Sequence, residues 1–183
     1  MSYFAVAVVR GPKGWAATDL DLNTVSDVED AADRLRDVDL DADVSLLFVE
    51  IDDQYLALLR LDEGEDLRVF GSDSAMADDS RLGSVLVAEL ESLSPDLDIP
   101  DPESDTIDAG GGSVRSSVET QVVDVSAAPD IAPVGDIDLL NDLGVPSRQL
   151  LDLCAREATL PADITTEICE TLGCSEDVEE LRE

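Results

Sequence analysis

The sequence predicts an α+β fold. An antiparallel sheet in the order ββαβββα is followed by a small C-terminal helical unit, joined to it by an acidic flexible linker. Three observations carry this expectation. Short apolar runs at Val44 to Ile51, Gln54 to Leu61 and Leu67 to Phe70 are separated by acidic turns, the pattern of a three-stranded meander. Residues 26–38 and 81–93 carry apolar side chains at helical spacing. Between 94 and 133 the composition turns to Pro, Gly, Ser and acidic residues before helical period returns. The expected boundaries are 1–93 for the α+β domain, 94–133 for the linker and 134–183 for the helical unit.

Tyr3 to Arg10 is apolar on both of its alternating faces, as a central strand requires. Gly11-Pro12-Lys13-Gly14 is a turn, and Trp15 to Leu20 returns as the second strand of a hairpin. Ser26 to Val38 reads as a helix. Ser26 and Glu29 have the spacing of a capping box, and Val28, Ala31, Ala32 and Leu35 form one stripe. Asp39 to Asp43 leads into the meander, where Asp52-Asp53 and Glu63-Gly64 supply the tight connections. Strands apolar on both faces need cover on both sides. Gly71 to Ser80 is polar and turn-rich, and Arg81 to Leu93 is the next helix, weakened by Gly83. Beyond the linker, helices are expected over Asp136 to Leu143, Pro146 to Thr159, Pro161 to Leu172 and Ser175 to Arg182, the last capped by Ser175. Such a unit is too short to be stable by itself, so it is expected to dock on the sheet.

Charge is the dominant feature of the composition. The 183 residues include 44 Asp and Glu against 11 Lys and Arg, a formal net charge of -33. That sign argues against direct contact with nucleic acid, which needs its phosphates neutralised, and against anionic membranes. The carboxylates are spread along the whole chain, which favours a solvated surface suited to high salt. A face for a basic partner protein is the competing reading. No apolar run approaches a membrane span and the opening residues lack a basic leader, so a cytoplasmic protein is expected.

Catalytic chemistry finds little to work with. The chain has no histidine, which removes Ser-His-Asp and Cys-His catalysis and the H-x-E element of a zinc nucleobase deaminase. Cys154, Cys169 and Cys174 are three thiols without the spacing of a zinc site, and buried free thiols are expected. Gly110-Gly111-Gly112 lacks the Lys-Ser/Thr of a P-loop. Acidic pairs such as Asp52-Asp53 are expected by chance in so acidic a chain. No catalytic, cofactor-binding or metal-ligating residue is assigned.

Several stretches resemble a known family. FVEIDDQYLALLRL (48–61), RVFGSD (68–73), SRLG (80–83) and APVGDIDLLNDLG (132–144) are similar to the actinobacterial family of tRNA adenosine deaminase-associated proteins. SYFAVAVVR at the start, with Trp15 following, and Pro161 to Gly173 near the end fit the same family. The likeness spans 2–93 and 132–181 and leaves out the acidic middle. It implies a protein encoded beside the deaminase that converts the tRNA wobble adenosine to inosine, and it brings no catalytic residue with it. The resulting expectation is a non-enzymatic accessory protein that contacts tRNA adenosine deaminase or another basic protein. Trp15, Tyr55 and Arg81 are the candidate contact residues. Their plainer readings are a core anchor, a strand-face residue and a helix-start ion pair. A self-associating structural module and a carboxylate-based divalent-metal enzyme are the alternatives.

Overall fold

Every residue of Val44–Ile51 is buried, because this strand is interior to a sheet covered on both faces. The computed structural model describes residues 2–93, 133–156 and 158–182. Its sheet has six antiparallel strands in the order β2-β1-β3-β4-β5-β6. These are β1 (Tyr3–Gly11), β2 (Gly14–Asp19), β3 (Val44–Ile51), β4 (Tyr55–Asp62), β5 (Asp66–Gly71) and β6 (Val134–Gly135). The architecture is α+β, as the alternation and helical periods predict. The linker expected over 94–133 lies outside the described residues, save Pro133.

The meander turns are built twice in the same way. Gln54 N–H donates to the Ile51 carbonyl at 3.0 Å and Glu65 N–H to that of Asp62 at 3.1 Å. Both central residues of each turn have positive φ, Asp52 and Asp53 at 49° and 56°, Glu63 and Gly64 at 50° and 76°. Turns of this hand match the twist of the flanking strands.

Alternation then divides the side chains between two cores. On the first face, Ala5, Ala7, Leu47, Val49, Leu59 and Leu61 meet helix α1 (Val28–Val38) and helix α3 (Arg81–Leu93). On the second, Val6, Val8, Leu46, Phe48 and Leu58 meet Leu139, Leu140 and three helices, α4 (Ser147–Ala155), α5 (Pro161–Leu172) and α6 (Ser175–Arg182). The C-terminal helices thus dock on the sheet and complete its second core.

Five local expectations are corrected. The cap of α1 is Asp27, whose carboxylate accepts from Asp30 N–H at 2.8 Å, while Asp30 accepts from Ser26 N–H at 3.0 Å. The cap is therefore shifted one residue from Ser26, and the return bond, made by Asp30 in place of Glu29, reaches the N–H before the cap. Within the expected turn 71–80 lies a short helix, α2 (Met76–Asp79). Asp136 to Leu143 is not an α-helix. Asp136 N–H is taken by the Val69 carbonyl at 2.8 Å and its carboxylate accepts from Asp138 N–H at 2.9 Å, so only a 3-10 turn forms over Asn141–Leu143. Aspartate competes in this way for backbone donors that a helix would need. Helix α4 is shorter than expected, and Ser175 is the first helical residue of α6 rather than its cap.

Gly83 has a tertiary reason that propensity does not show. A Cβ there would lie 2.0 Å from the Met76 carbonyl oxygen, so the start of α3 packs directly on the backbone of α2.

Candidate functional site

The three candidate contact residues fall on different parts of the molecule. Trp15 lies half-buried on β2, packed against the second core, with the Arg10 guanidinium 6.0 Å from its ring centroid. Tyr55 starts β4 on the first face, and its hydroxyl donates to the Asp79 carboxylate. That bond pushes the Tyr55 hydroxyl up to about 12. Arg81 is exposed at the start of α3, on the rim of a cavity of about 150 Å³ shared with Tyr3, Leu22, Asn23 and Ser80. Such a cavity is smaller than the roughly 300 Å³ at which ligand pockets begin. Tyr55 and Arg81 belong to the first-face side, and Trp15 to the second-face side.

The densest polar constellation was not singled out in the sequence. Arg60 projects from the middle of β4 onto the second face with its side chain 4% exposed. Its Nη2 donates to Asp142 Oδ2 at 2.8 Å and Asp62 Oδ1 at 2.7 Å, its Nε to Asp62 Oδ1 at 3.0 Å, and its Nη1 to the Leu139 carbonyl and Asp142. Arg68 adds a bond to Asp62 Oδ2 at 2.7 Å and approaches Asp136 at 3.7 Å. The Arg60 hydrogen bond holds the Asp142 carboxyl below its ordinary value. At Asp62 burial pushes upward, but the bonds from both arginines outweigh it and the carboxyl lies low. A second pair joins Arg182 of α6 to Glu50 of β3, with the Arg182 guanidinium 4.8 Å from the Phe4 ring centroid. Sequence spacing could not reveal these partners, since Arg60 and Asp142 are 82 residues apart.

These clusters clamp one layer to another; their carboxylates are spent on guanidinium groups. Among the described residues, no group of three or more His, Cys, Asp or Glu side chains is placed to hold a metal ion. The cysteines are free. Cys169 and Cys174 bracket the end of α5, where Gly173 is left-handed at φ 84° and Cys174 N–H donates back to the Cys169 carbonyl at 2.9 Å. This is a Schellman ending, and the two thiols supply its apolar contact. The Cys174 contact and burial push the Cys169 thiol up, away from nucleophilic chemistry. Burial pushes Cys154 up to about 11.

What remains outward is charge. Glu29 and Asp37 of α1 are exposed, as are Glu170 of α5 and Glu176, Asp177, Glu179 and Glu180 of α6. Among the described residues no helix is long and apolar enough to cross a membrane.

No curated protein and no solved structure matches the chain. The sequence profile of a protein family does, over residues 3–175. The match runs through the acidic middle, which the resemblance seen in the sequence left out. With the sheet, both cores and most of the C-terminal helices inside it, the chain belongs to the Rv3753c-like tRNA adenosine deaminase-associated protein family.

Proposed function

We propose that this chain is a non-enzymatic, cytoplasmic accessory protein that makes physical contact with tRNA adenosine deaminase or another basic protein of tRNA processing. The observation that carries the reading is the family's association with the deaminase, joined to a surface whose helices present unspent carboxylates. A net charge of -33 raises encounter rates with a basic protein and suppresses contact with RNA itself. Such a protein would act beside the editing enzyme, by holding or positioning it, and leave the tRNA to the enzyme.

Co-purification with the deaminase of the same cell tests this reading at low and high salt. Capture that persists at high salt is the expected result, because a specific interface has an apolar part that screening does not remove. Capture lost with salt would reduce the contact to generic charge attraction. No capture at either salt would overturn direct binding.

A further inference from the structure

We propose that the outer edge of β2 accepts an extended, cationic segment of a partner protein as an additional strand of the sheet. The proposal rests on the accessory reading above and names where that contact is made.

β2 ends the sheet on one side. The phase of its ladder is fixed by Leu20 N–H, which donates to the Ala5 carbonyl at 2.9 Å, and by the register that pairs Thr18 with Ala7, Ala16 with Val9 and Gly14 with Gly11. Antiparallel pairing alternates, so Gly14, Ala16 and Thr18 direct their backbone groups at β1, while Trp15, Ala17 and Asp19 direct theirs outward. Among the described residues no strand meets this outward row. An open row of backbone donors and acceptors is a template for a further strand. Protein edges are commonly blunted by lysine, proline or a bulge. β2 reads GWAATD and stays in register with β1 throughout, so none of these devices is present. The opposite end of the sheet is closed differently, by the two-residue β6 and by Asp136 N–H on the Val69 carbonyl.

Charge selects the occupant. Asp19 ends the strand, and Asp19 and Asp21 wall a groove of about 460 Å³ beside it. Asp21 is held ionised by bonds from Asn23 N–H at 2.8 Å and the Tyr3 hydroxyl at 3.1 Å. Helix α6, which packs against β2, carries the exposed Glu176, Asp177, Glu179 and Glu180, and its Arg182 is spent on Glu50. A second copy of this chain would set these acids against their own kind, each copy carrying -33. A cationic strand would pair with them. Arg10 and Lys13 lie at the hairpin end, so the partner's cations belong at the Asp19 end.

The test uses the full chain, an alternating Lys–Val peptide, and the same peptide N-methylated on alternate residues. Amide exchange read by NMR should slow at Trp15, Ala17 and Asp19, with Ala16 and Thr18 unchanged. N-methylation should weaken binding by about tenfold or more, since one edge of the peptide loses its donors. Ala17→Pro removes an outward N–H and leaves the β1 ladder alone, so it should weaken peptide binding to a similar degree. Ala16→Lys, an exposed position with the backbone intact, should also weaken it and guards against misfolding of the proline variant. Equal affinity for both peptides overturns the proposal, as does a doubled mass with the same three amides protected before any peptide is added. The deaminase separates the two readings. Capture by the wild type that is unchanged in both variants overturns the edge and leaves the accessory role standing. No capture by the wild type overturns the accessory role, and the peptide result then judges the edge alone.

Discussion

The face of the sheet that carries Ala5, Ala7, Leu47 and Leu59 is closed by α1 and α3 through apolar side chains. The face that carries Phe48 and Leu58 is closed by α4 to α6 over buried ion clusters at Arg60 and Glu50. The first cover is local in sequence, entering directly from the strands it protects. The second comes from residues after 133, far in sequence from the strands it covers. Apolar contact is non-directional, so it rewards many placements of a docked layer about equally. A guanidinium that needs Asp62, Asp142 and the Leu139 carbonyl at once rewards one. The contrast between the faces is thus between a cover placed by connectivity and a cover whose register is selected by directional bonds.

The largest expected effect would break the second face alone. Arg60→Ala should cost about 2–4 kcal/mol in urea unfolding, because it opens a buried gap and strips the Leu139 carbonyl and Asp142 of their donor, Asp62 keeping only Arg68. Arg60→Met with Asp142→Leu should restore most of that stability, since apolar replacement of an ion pair is often neutral. It should also broaden the NMR signals of α4 to α6 if the cluster selects their register. Sharp signals in the double variant would reduce the clamp to ordinary stabilisation.

Next comes the first face. Gly83→Ala should destabilise by about 1–3 kcal/mol, the range of overpacking, although alanine is the better helix former. An increase in thermal midpoint would mean that α2 gives way easily, and that this face is looser than its packing implies.

The two faces should also fail at opposite ends of the pH scale, with smaller effects spread over a range. Asp62 and Asp142 titrate below their ordinary values. Their contribution is present above the unfolded value of about 4 and is lost as pH falls through the lower folded values. Tyr55 is raised to about 12. Its contribution is present below the unfolded value of about 10 and is lost as pH rises toward the folded one. Stability profiles of Asp142→Asn and Tyr55→Phe against the wild type should therefore converge in acid and in alkali respectively. Convergence at the wrong end for either variant would contradict the assignment.

The smallest effect is expected for Arg156→Gln. The Arg156–Glu167 pair is 3.0 Å apart with side chains 53% and 40% exposed, so its loss should change stability by no more than about 0.5 kcal/mol. A larger change would mean that surface pairs matter here as much as buried ones.

Local rules made much of this molecule legible. Alternation placed β1 and the meander, positive-φ turns placed 52–53 and 63–64, and helical stripes placed α1, α3, α5 and α6. Two of the misses share a cause, which is competition for backbone donors. Asp27 replaced Ser26 as the cap, and Asp136 gave its N–H to Val69 instead of starting a helix. The candidate contacts were legible only as residue types. Trp15 lies on the strand that is outermost among the described residues, but the outward row of backbone groups beside it depends on which strand takes that place.

The sequence by itself determined the strand and helix content, the two-faced burial of β3, the exclusion of histidine-based catalysis and the acidic character. Each of these depends on residues a few positions apart or on a sum over the chain. Only the tertiary structure decided that Val134–Gly135 extends the sheet, that Arg60 is clamped by Asp142 and Arg182 by Glu50, and that, among the described residues, β2 has no strand on its outer side. Those outcomes join residues far apart in sequence, and it is the closing of the second layer over the sheet, not local preference, that brings them within bonding distance.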